Sequence, residues 1–213
     1  NISTVEDPVE YFIDGINQTQ INNKVKMSFA KGLRAILRQD PDVVMLGEVR
    51  DSETAQIAVQ ASLTGHLVFS TLHTNTAVGA ISRLRDMGIE PFLLSSSLSA
   101  VLAQRLIRTL CSECKESHNS DEKENEKLGI NEPSVIYQSK GCDHCNQTGY
   151  MGRSALYELL SINDDIKELI YNEASEAQIL ESAKSHSTLR EQARQMVLAG
   201  DTSLYEAIRV VSL

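Results

Sequence analysis

Four cysteines are the most specific chemical signal in the sequence, because they occur as two Cys-x-x-Cys pairs. Cys111 pairs with Cys114, and Cys142 pairs with Cys145. Each spacing suits a turn that directs two thiolates at one metal ion, and two such turns complete a four-sulfur site. Four sulfurs leave no open position, so we predict a structural zinc ion, with free thiols or an iron–sulfur cluster as alternatives. His144 is then a bystander, because the cysteines already fill the coordination shell.

A second candidate site centres on Glu48, which follows a short apolar run. Residues 43–46 are four consecutive large apolar residues after Asp42, and Gly47 and Glu48 come next. The run is too short for a helix and rich in Val, so it predicts a strand buried on both faces. Ligands bind at the carboxyl ends of strands in α/β sheets, where Glu48 is placed to orient an attacking water near a magnesium-bound phosphate. The alternative is a core strand followed by solvated charges.

Acidic side chains also follow the first predicted strand, over residues 2–5. Glu6, Asp7 and Glu10 lie just beyond it, and Pro8 prevents the strand from continuing. The three carboxylates form either a metal or nucleotide site or a solvated turn.

Two histidines flank another predicted strand, whose centre is the Leu-Val-Phe run at 67–69. His66 lies at its start, and His73 lies just past its end, after Ser70 and Thr71. A single histidine at a strand end is usually structural. His73 nevertheless stands at the edge of the predicted sheet where ligands bind, so it is a candidate site residue.

Two arginines lie on a predicted helix over residues 28–38, which Ser28 is suited to cap. Arg34 and Arg38 are four residues apart and so share one face of that helix. Two cations on one face suit contact with phosphate, and the alternative is a solvated helix face.

Alternating helices and strands must position these residues. Helices are predicted over residues 28–38, 52–64, 75–87 and 91–103. Together with the strands above, they give the pattern of a parallel sheet with crossover helices. Residues 104–110 are ambiguous between helix and strand. Short strands are predicted at 135–137 and 154–160. Helices follow, with predicted starts at Asn163, Ser175, Thr188 and Ser203.

The composition fits a soluble globular protein. The chain has 213 residues, of which 41% are hydrophobic and 23% charged, and its net charge is −9. That charge disfavours a protein that binds nucleic acid through bulk electrostatics, including a nucleic-acid-binding zinc ribbon. No apolar run is long enough to span a membrane and no signal peptide is visible, so an intracellular protein is expected.

The sequence lacks the motif that would complete a nucleotide site. No G-x-x-x-x-G-K-[ST] stretch occurs, because no Gly is followed by Lys, and there is no G-x-G-x-x-G. A strand that ends in Glu48 without a phosphate loop is half a site. A non-enzymatic, zinc-stabilised interaction module is therefore an alternative from another class.

Several long motifs together resemble those of the secretion ATPase family, which serves type II secretion and type IV pilus assembly. The resemblance covers essentially the whole chain. The matching stretches are an Asp box at 4–10, a Walker B region at 37–51, a His box at 64–74, and the segments 85–94 and 103–108. The four-cysteine insertion matches the metal-binding loop of the secretion and assembly branch. The type II branch is favoured, with a pilus assembly ATPase as the alternative.

The resemblance implies an α/β fold with a RecA-like P-loop NTPase core, a parallel-rich sheet flanked by helices. The family's phosphate loop precedes the position of Asn1, so this chain is expected to be a fragment of an ATPase that is inactive alone. The expected divisions are the core (1–110), the zinc insertion (111–145), return strands (146–160) and a C-terminal helical subdomain (161–213).

The resemblance also implies roles for the candidate residues. Glu48 would be the catalytic glutamate, and His66 and His73 would sense or couple the nucleotide state. The magnesium and γ-phosphate side would be lined by Glu6, Asp7 and Glu10. Phosphate charge would be neutralised, across a subunit boundary, by Arg34 and Arg38.

The family's cofactors and partners give further expectations. ATP, Mg²⁺ and structural Zn²⁺ would serve a homo-hexamer at the cytoplasmic face of the bacterial inner membrane. There it would meet platform proteins, namely the cytoplasmic domain of general secretion pathway protein L. Its hydrolysis of ATP would drive assembly of a pilin-like fibre that exports proteins across the outer membrane. No nucleic-acid partner is expected.

Overall fold

Four parallel strands form the main sheet of the computed structural model, which describes residues 1–183 and 187–211. The strand order is β2-β1-β3-β4. The strands are β1 (Ile2–Glu6), β2 (Ile16–Gln20), β3 (Val43–Leu46) and β4 (Leu67–Ser70). Val5 lies opposite Leu46, and Leu46 lies opposite Ser70, so three strands end side by side. The predicted α/β class with a parallel sheet is confirmed.

The described chain folds into two units, each made of two segments. The first unit contains residues 1–101 and 161–183, and the second contains residues 102–160 and 187–211. Helices that follow one another after residue 161 are therefore divided between the units. No helix in these ranges combines the length and the apolar character needed to cross a membrane.

Polar side chains cap the N-termini of helices in the unit that contains the main sheet. Ser28 accepts a hydrogen bond from the Lys31 N–H, and Asp51 accepts one from the Thr54 N–H. The helices of this unit are α1 (Phe29–Ile36), α2 (Ser52–Leu63), α3 (Ala77–Asp86), α4 (Pro91–Ser97), α6 (Asp164–Tyr171) and α7 (Glu176–Ser182). The capping signals of the sequence thus predicted the helix starts well.

Two predicted helices end earlier than expected. α1 ends at Ile36, where the Arg38 N–H already bonds to the carbonyl of Ala35 in a tightened last turn. The predicted helix over 91–103 was wrong in its second half. Leu98 has extended backbone angles, and the chain from Ala100 onward is a strand. The small and apolar residues there carry no breaker that would have marked the change.

The second unit is built on two strand pairs. β5 (Ala100–Leu110) pairs with β8 (Tyr150–Ser161), and β6 (Glu116–Asn119) pairs antiparallel with β7 (Val135–Gln138). The helices are α5 (Glu122–Leu128), α8 (Leu189–Leu198) and α9 (Leu204–Val211). They bury a core that includes Ile107, Leu128, Ile136, Leu156, Val197 and Ala207.

Candidate functional site

The carboxyl edge of the main sheet holds the chain around Glu48 by backbone bonds on both sides. The Gly47 N–H donates to the Val5 carbonyl at 2.8 Å, and the Val49 N–H donates to the Thr71 carbonyl at 3.0 Å. The Thr71 hydroxyl also donates to the Gly47 carbonyl at 2.7 Å. A Cβ at Gly47 would lie 3.3 Å from the Val5 carbonyl oxygen, so glycine lets the strands approach closely here. The backbone of Glu48 is therefore fixed by both neighbouring strands.

The Glu48 carboxylate is held between two side chains. Arg50 forms an ion pair with Oε1, and His73 Nε2 lies 3.0 Å from Oε2. The Glu48 side chain is 12% exposed, whereas Arg50 is 61% and His73 87% exposed. The Arg50 guanidinium, and to a smaller extent His73, hold the pKa of Glu48 below its usual range despite partial burial. Glu48 is therefore an ionised acceptor at neutral pH.

Glu6 reaches the same edge at the end of β1. Thr4 Oγ1 and Gln18 Nε2 both donate to its Oε1, the latter at 3.0 Å. Asp7 and Glu10 follow in the exposed loop between β1 and β2. Bonding to Glu48 is the main cause of a raised Arg50 pKa, and the negative charge of Asp7 adds a smaller contribution. The edge thus brings together carboxylates from β1 and β3 with the histidine after β4, as the sequence predicted.

His66 lies at the opposite, amino edge of the sheet. Its Nδ1 is 2.9 Å from the Ala61 carbonyl and 3.2 Å from Thr64 Oγ1, both at the end of α2. A carbonyl oxygen only accepts, so Nδ1 is the donor in the contact with Ala61. The next residue, Leu67, donates its N–H to the Asp42 carbonyl at the start of β3. The two predicted histidines therefore stand at different ends of β4.

The two predicted arginines do not join the carboxylates. Arg34 forms an ion pair with Glu53 of α2 at 2.8 Å. Arg38 lies two residues beyond the end of α1 and is exposed. The neighbouring carbonyls of Gln39 and Asp40 accept bonds from the Asn1 side chain, which places this segment at the amino edge of the sheet.

Three residues of the carboxyl edge were not singled out from the sequence. Arg50 is the cation that pairs with Glu48, and Thr4 and Gln18 hold Glu6. Arg50 follows Glu48 by two residues, and this spacing could have suggested from the sequence alone that the two side chains pair. Gln18 lies on another strand, and only the β1–β2 register, with Thr4 opposite Gln18, brings it near.

The second unit contains the four cysteines as one cluster. Their sulfurs all lie within 4.8 Å of one another. Separations are 3.9 Å for Cys111–Cys142, 3.8 Å for Cys114–Cys145 and 3.8 Å for Cys142–Cys145. Tetrahedral coordination with Zn–S bonds of about 2.3 Å requires sulfurs about 3.8 Å apart. The cluster therefore has the shape of a four-thiolate metal site, as the cysteine spacing predicted.

Backbone N–H groups prepare one of these sulfurs to carry negative charge. Cys145 Sγ accepts from the N–H of Cys142 at 3.3 Å and of Gly149 at 3.1 Å. Burial acts to raise the pKa of Cys145, but these N–H groups outweigh it and lower the pKa. Burial raises the pKa of Cys114. Gly149 has φ of +76°, and a Cβ there would lie 2.5 Å from the Cβ of Ser139, so glycine is required for this turn.

A parallel sheet with carboxylates at its carboxyl edge defines a class of α/β proteins that act on ligands at that edge. The four-cysteine cluster in the second unit distinguishes this chain from α/β proteins that lack such a cluster. The family described as Type II/IV secretion system protein matches residues 1–209, and the chain belongs to this family.

Relatives with closely similar sequences come from type II secretion. The chain is 60% identical to the "Type II secretion system ATPase E" of Vibrio cholerae over 214 residues. It is 58% identical to the "Type II secretion system protein E" of Pseudomonas aeruginosa over 213 residues. Each match covers 99% of this chain but only 42% of the relative, so the chain spans less than half of these proteins.

Solved structures share the fold. The pilus retraction motor PilT with bound ADP matches 98% of this chain and 51% of its own length, with a TM-score of 0.72 and 31% identity. The ATPase DotB of Legionella pneumophila matches 97% of this chain and 50% of its own length, with a TM-score of 0.66 and 20% identity. The predicted fold class is therefore confirmed.

Proposed function

We propose that this chain is part of the ATP-hydrolysing motor of a type II secretion system. The motor would drive assembly of a pilin-like fibre and export of proteins across the outer membrane. The main support is the placement of Glu48 beside His73 and near Glu6 at the carboxyl edge of the sheet, in a chain 60% identical to a type II secretion ATPase. In this role Glu48 accepts a hydrogen bond from the attacking water and orients it.

The acidic groups of the same edge suit a divalent cation. Glu6, Asp7 and Glu10 offer hard carboxylate oxygens, the ligand type that Mg²⁺ prefers. We assign them to the magnesium and γ-phosphate side of bound ATP, where Mg²⁺ would offset the charge of the phosphates. His73 bonds to Glu48 and so couples this edge to the segment after β4, and we assign His66 a coupling role at the other end of that strand.

We assign Arg34 and Arg38 of this chain a role at the nucleotide site of a neighbouring subunit. Arg34 is engaged with Glu53, and Arg38 lies at the amino edge of the sheet, away from Glu48. Their positions suit charge neutralisation of a phosphate held by the next subunit of a homo-hexamer better than contact within one chain. Such a ring would work at the cytoplasmic face of the inner membrane. The proposed partner is an inner-membrane platform protein, namely the cytoplasmic domain of general secretion pathway protein L.

The cysteine cluster is assigned a structural zinc ion. Cys111, Cys114, Cys142 and Cys145 supply four soft sulfur ligands at tetrahedral spacing, a donor set and geometry that favour zinc. The chain before the first pair is β5, and the chain after the second pair leads into β8. The ion would therefore close the base of the loop that carries β6, α5 and β7.

A non-enzymatic interaction module is the second candidate, since residues 1–213 contain no phosphate-loop motif. The experiment compares ATP turnover by this chain with turnover by a longer polypeptide in which the region preceding Asn1 is restored. We expect little turnover from the chain alone and clear turnover from the longer polypeptide. Absence of turnover from both would favour the interaction module.

Glu48→Gln in the longer polypeptide tests the assignment of the catalytic carboxylate. We expect turnover to fall at least about a hundredfold, the usual effect of removing a general base. Glu90→Gln is the matched control, because Glu90 is an exposed acid of the same unit whose side chain makes no cap bond at α4. If Glu48→Gln turns over ATP as fast as Glu90→Gln, Glu48 is not the catalytic carboxylate.

A further inference from the structure

Gln18 on β2 is the side chain that links Glu6 to the loop after β1. Gln18 lies opposite Thr4 in the β1–β2 ladder, and Thr4 is two residues before Glu6 on the same face of β1. Gln18 Nε2 donates to Glu6 Oε1 at 3.0 Å, and Thr4 Oγ1 donates to the same oxygen. Thr4 is 3% and Glu6 9% exposed, so these bonds are well shielded from water.

The same amide group anchors the loop that carries Asp7 and Glu10. Gln18 Nε2 also donates to the Tyr11 carbonyl at 3.0 Å, and Gln18 Oε1 accepts from the Ile13 N–H at 2.8 Å. Both N–H bonds of the amide and its carbonyl oxygen are therefore engaged. No other uncharged side chain of this length offers two donors and an acceptor.

The two donors leave one oxygen of Glu6 for a ligand. Oε1 receives both hydrogen bonds, whereas Oε2 has no hydrogen-bond partner among the residues that the structure describes. Oε2 is not fully closed off from solvent, although Glu6 as a whole is only 9% exposed. A carboxylate with one saturated and one open oxygen is ready to bind a divalent cation, or a water on it, through a single atom.

We infer that Gln18 is a positioning residue for the metal–nucleotide site. It fixes the rotamer of Glu6 so that Oε2 faces the cation, and it holds the Asp7–Glu10 loop at a set distance from that oxygen. This inference rests on the proposed function, because it assumes that Glu6 serves Mg²⁺ bound to nucleotide. Residues that orient metal ligands typically change metal affinity or activity by about 10–100-fold when removed.

The test measures ATP turnover by the longer polypeptide as free Mg²⁺ is varied at saturating ATP. Gln18→Met keeps the length of the side chain and removes all three bonds. We expect the Mg²⁺ concentration for half-maximal turnover to rise about tenfold, with a KM for ATP within about threefold of the parent. A purely structural defect would lower kcat without a selective change in the Mg²⁺ requirement.

Gln20→Met is the matched control. Gln20 lies on the same strand and accepts a bond from the Val9 N–H in the same loop, but it makes no hydrogen bond to Glu6. We expect its Mg²⁺ requirement to stay within about threefold of the parent. Gln18→Glu is a second variant that keeps the shape and the acceptor for Ile13. It replaces the donors with a negative charge beside Glu6, and it answers the question if Gln18→Met does not fold.

The outcomes separate this inference from the proposed function. An Mg²⁺ requirement that is unchanged in Gln18→Met, or in Gln18→Glu if only that variant folds, overturns the positioning role. If the Mg²⁺ requirement is unchanged in this way while Glu48→Gln is inactive in the same assay, the proposed function stands and only the role of Gln18 is overturned. If Glu48→Gln matches the parent, the proposed function itself fails. A selective rise in the Mg²⁺ requirement of the Gln18 variants, but not of Gln20→Met, supports the inference.

Discussion

Glu206 offers a quantitative test of how the second unit is held together. Its side chain has 0% exposure and lies between two arginines. Arg108 Nη2 donates to Oε2 at 2.6 Å, and the Arg108 backbone N–H donates to Oε1 at 3.2 Å. Arg209 adds two bonds, at 2.7 and 2.6 Å. We predict that Glu206→Gln destabilises this unit strongly, because a neutral amide would leave two guanidiniums without their shared anion.

The pKa of Glu206 gives the size of the effect. Burial alone would raise it, but the bonds from Arg209 and Arg108 outweigh burial and lower the pKa from 4.5 to about 2. A difference of that size corresponds to about 3 kcal/mol of stability at neutral pH. The guanidiniums are 37% and 52% exposed and so partly screened, which leaves about 2–3 kcal/mol. Because the folded pKa is lowered, this contribution exists above pH 4.5 and disappears as the pH falls towards 2.

Urea unfolding at pH 7, followed by far-UV circular dichroism and tyrosine fluorescence, measures the loss. The metal content of all variants must be equal. Glu191→Gln is the matched control, because Glu191 pairs with Arg194 in the same two-bond geometry, at 2.8 and 2.6 Å, but on the surface of α8. We expect the control to cost less than about 0.5 kcal/mol. We also expect the parent, but not Glu206→Gln, to lose this stability between pH 5 and pH 2.

Equal destabilisation by the two substitutions, or a higher free energy of unfolding for Glu206→Gln, would refute a stabilising role of the buried carboxylate. Equal losses would mean that burial of Glu206 adds nothing beyond a surface ion pair. A stability that falls as steeply with acid in Glu206→Gln as in the parent would assign the acid sensitivity to other carboxylates.

Two further predictions concern the metal cluster and the helix against β1. Cys111→Ser should lower the zinc content from about one ion per chain, and chelation of the parent should unfold the loop around the cluster. If elemental analysis finds the same zinc content in Cys111→Ser as in the parent, the four-thiolate assignment is contradicted. Gly32→Ala should lower the unfolding free energy by about 1–3 kcal/mol, since its Cβ would lie 2.8 Å from Val5 Cγ1. Unchanged stability in urea unfolding would show that α1 shifts to accommodate the methyl group.

The sequence was most informative where one strand or one spacing decides the chemistry. An apolar run that ends in Gly47 and Glu48 predicted both the strand and the edge at which the carboxylate lies. Two Cys-x-x-Cys spacings likewise predicted a cluster whose sulfurs lie within metal-binding distance. Local signals suffice here, because parallel strands end together and thiolate spacing is set by short turns.

The sequence was less informative where a contact depends on the end of an element or on register. The helix predicted over residues 28–38 ends at Ile36, so Arg38 lies beyond it. The role of Gln18 depends on which residue of β1 it faces, and that register is a long-range property of the sheet. The strand from Ala100 was missed because its small and apolar residues are compatible with either state until the partner strand is known.

The outer side of β4 has a consequence for how residues 1–213, taken alone, behave in concentrated solution. β4 pairs with β3 alone in the described sheet, and its Leu67 and Phe69 are 50% and 54% exposed. An open, apolar strand edge favours association between molecules. The net charge of −9 opposes it by repulsion that reaches about 10 Å at 0.1 M ionic strength but only about 3 Å at 1 M. We therefore expect a solution of residues 1–213 alone to aggregate more readily as salt is added.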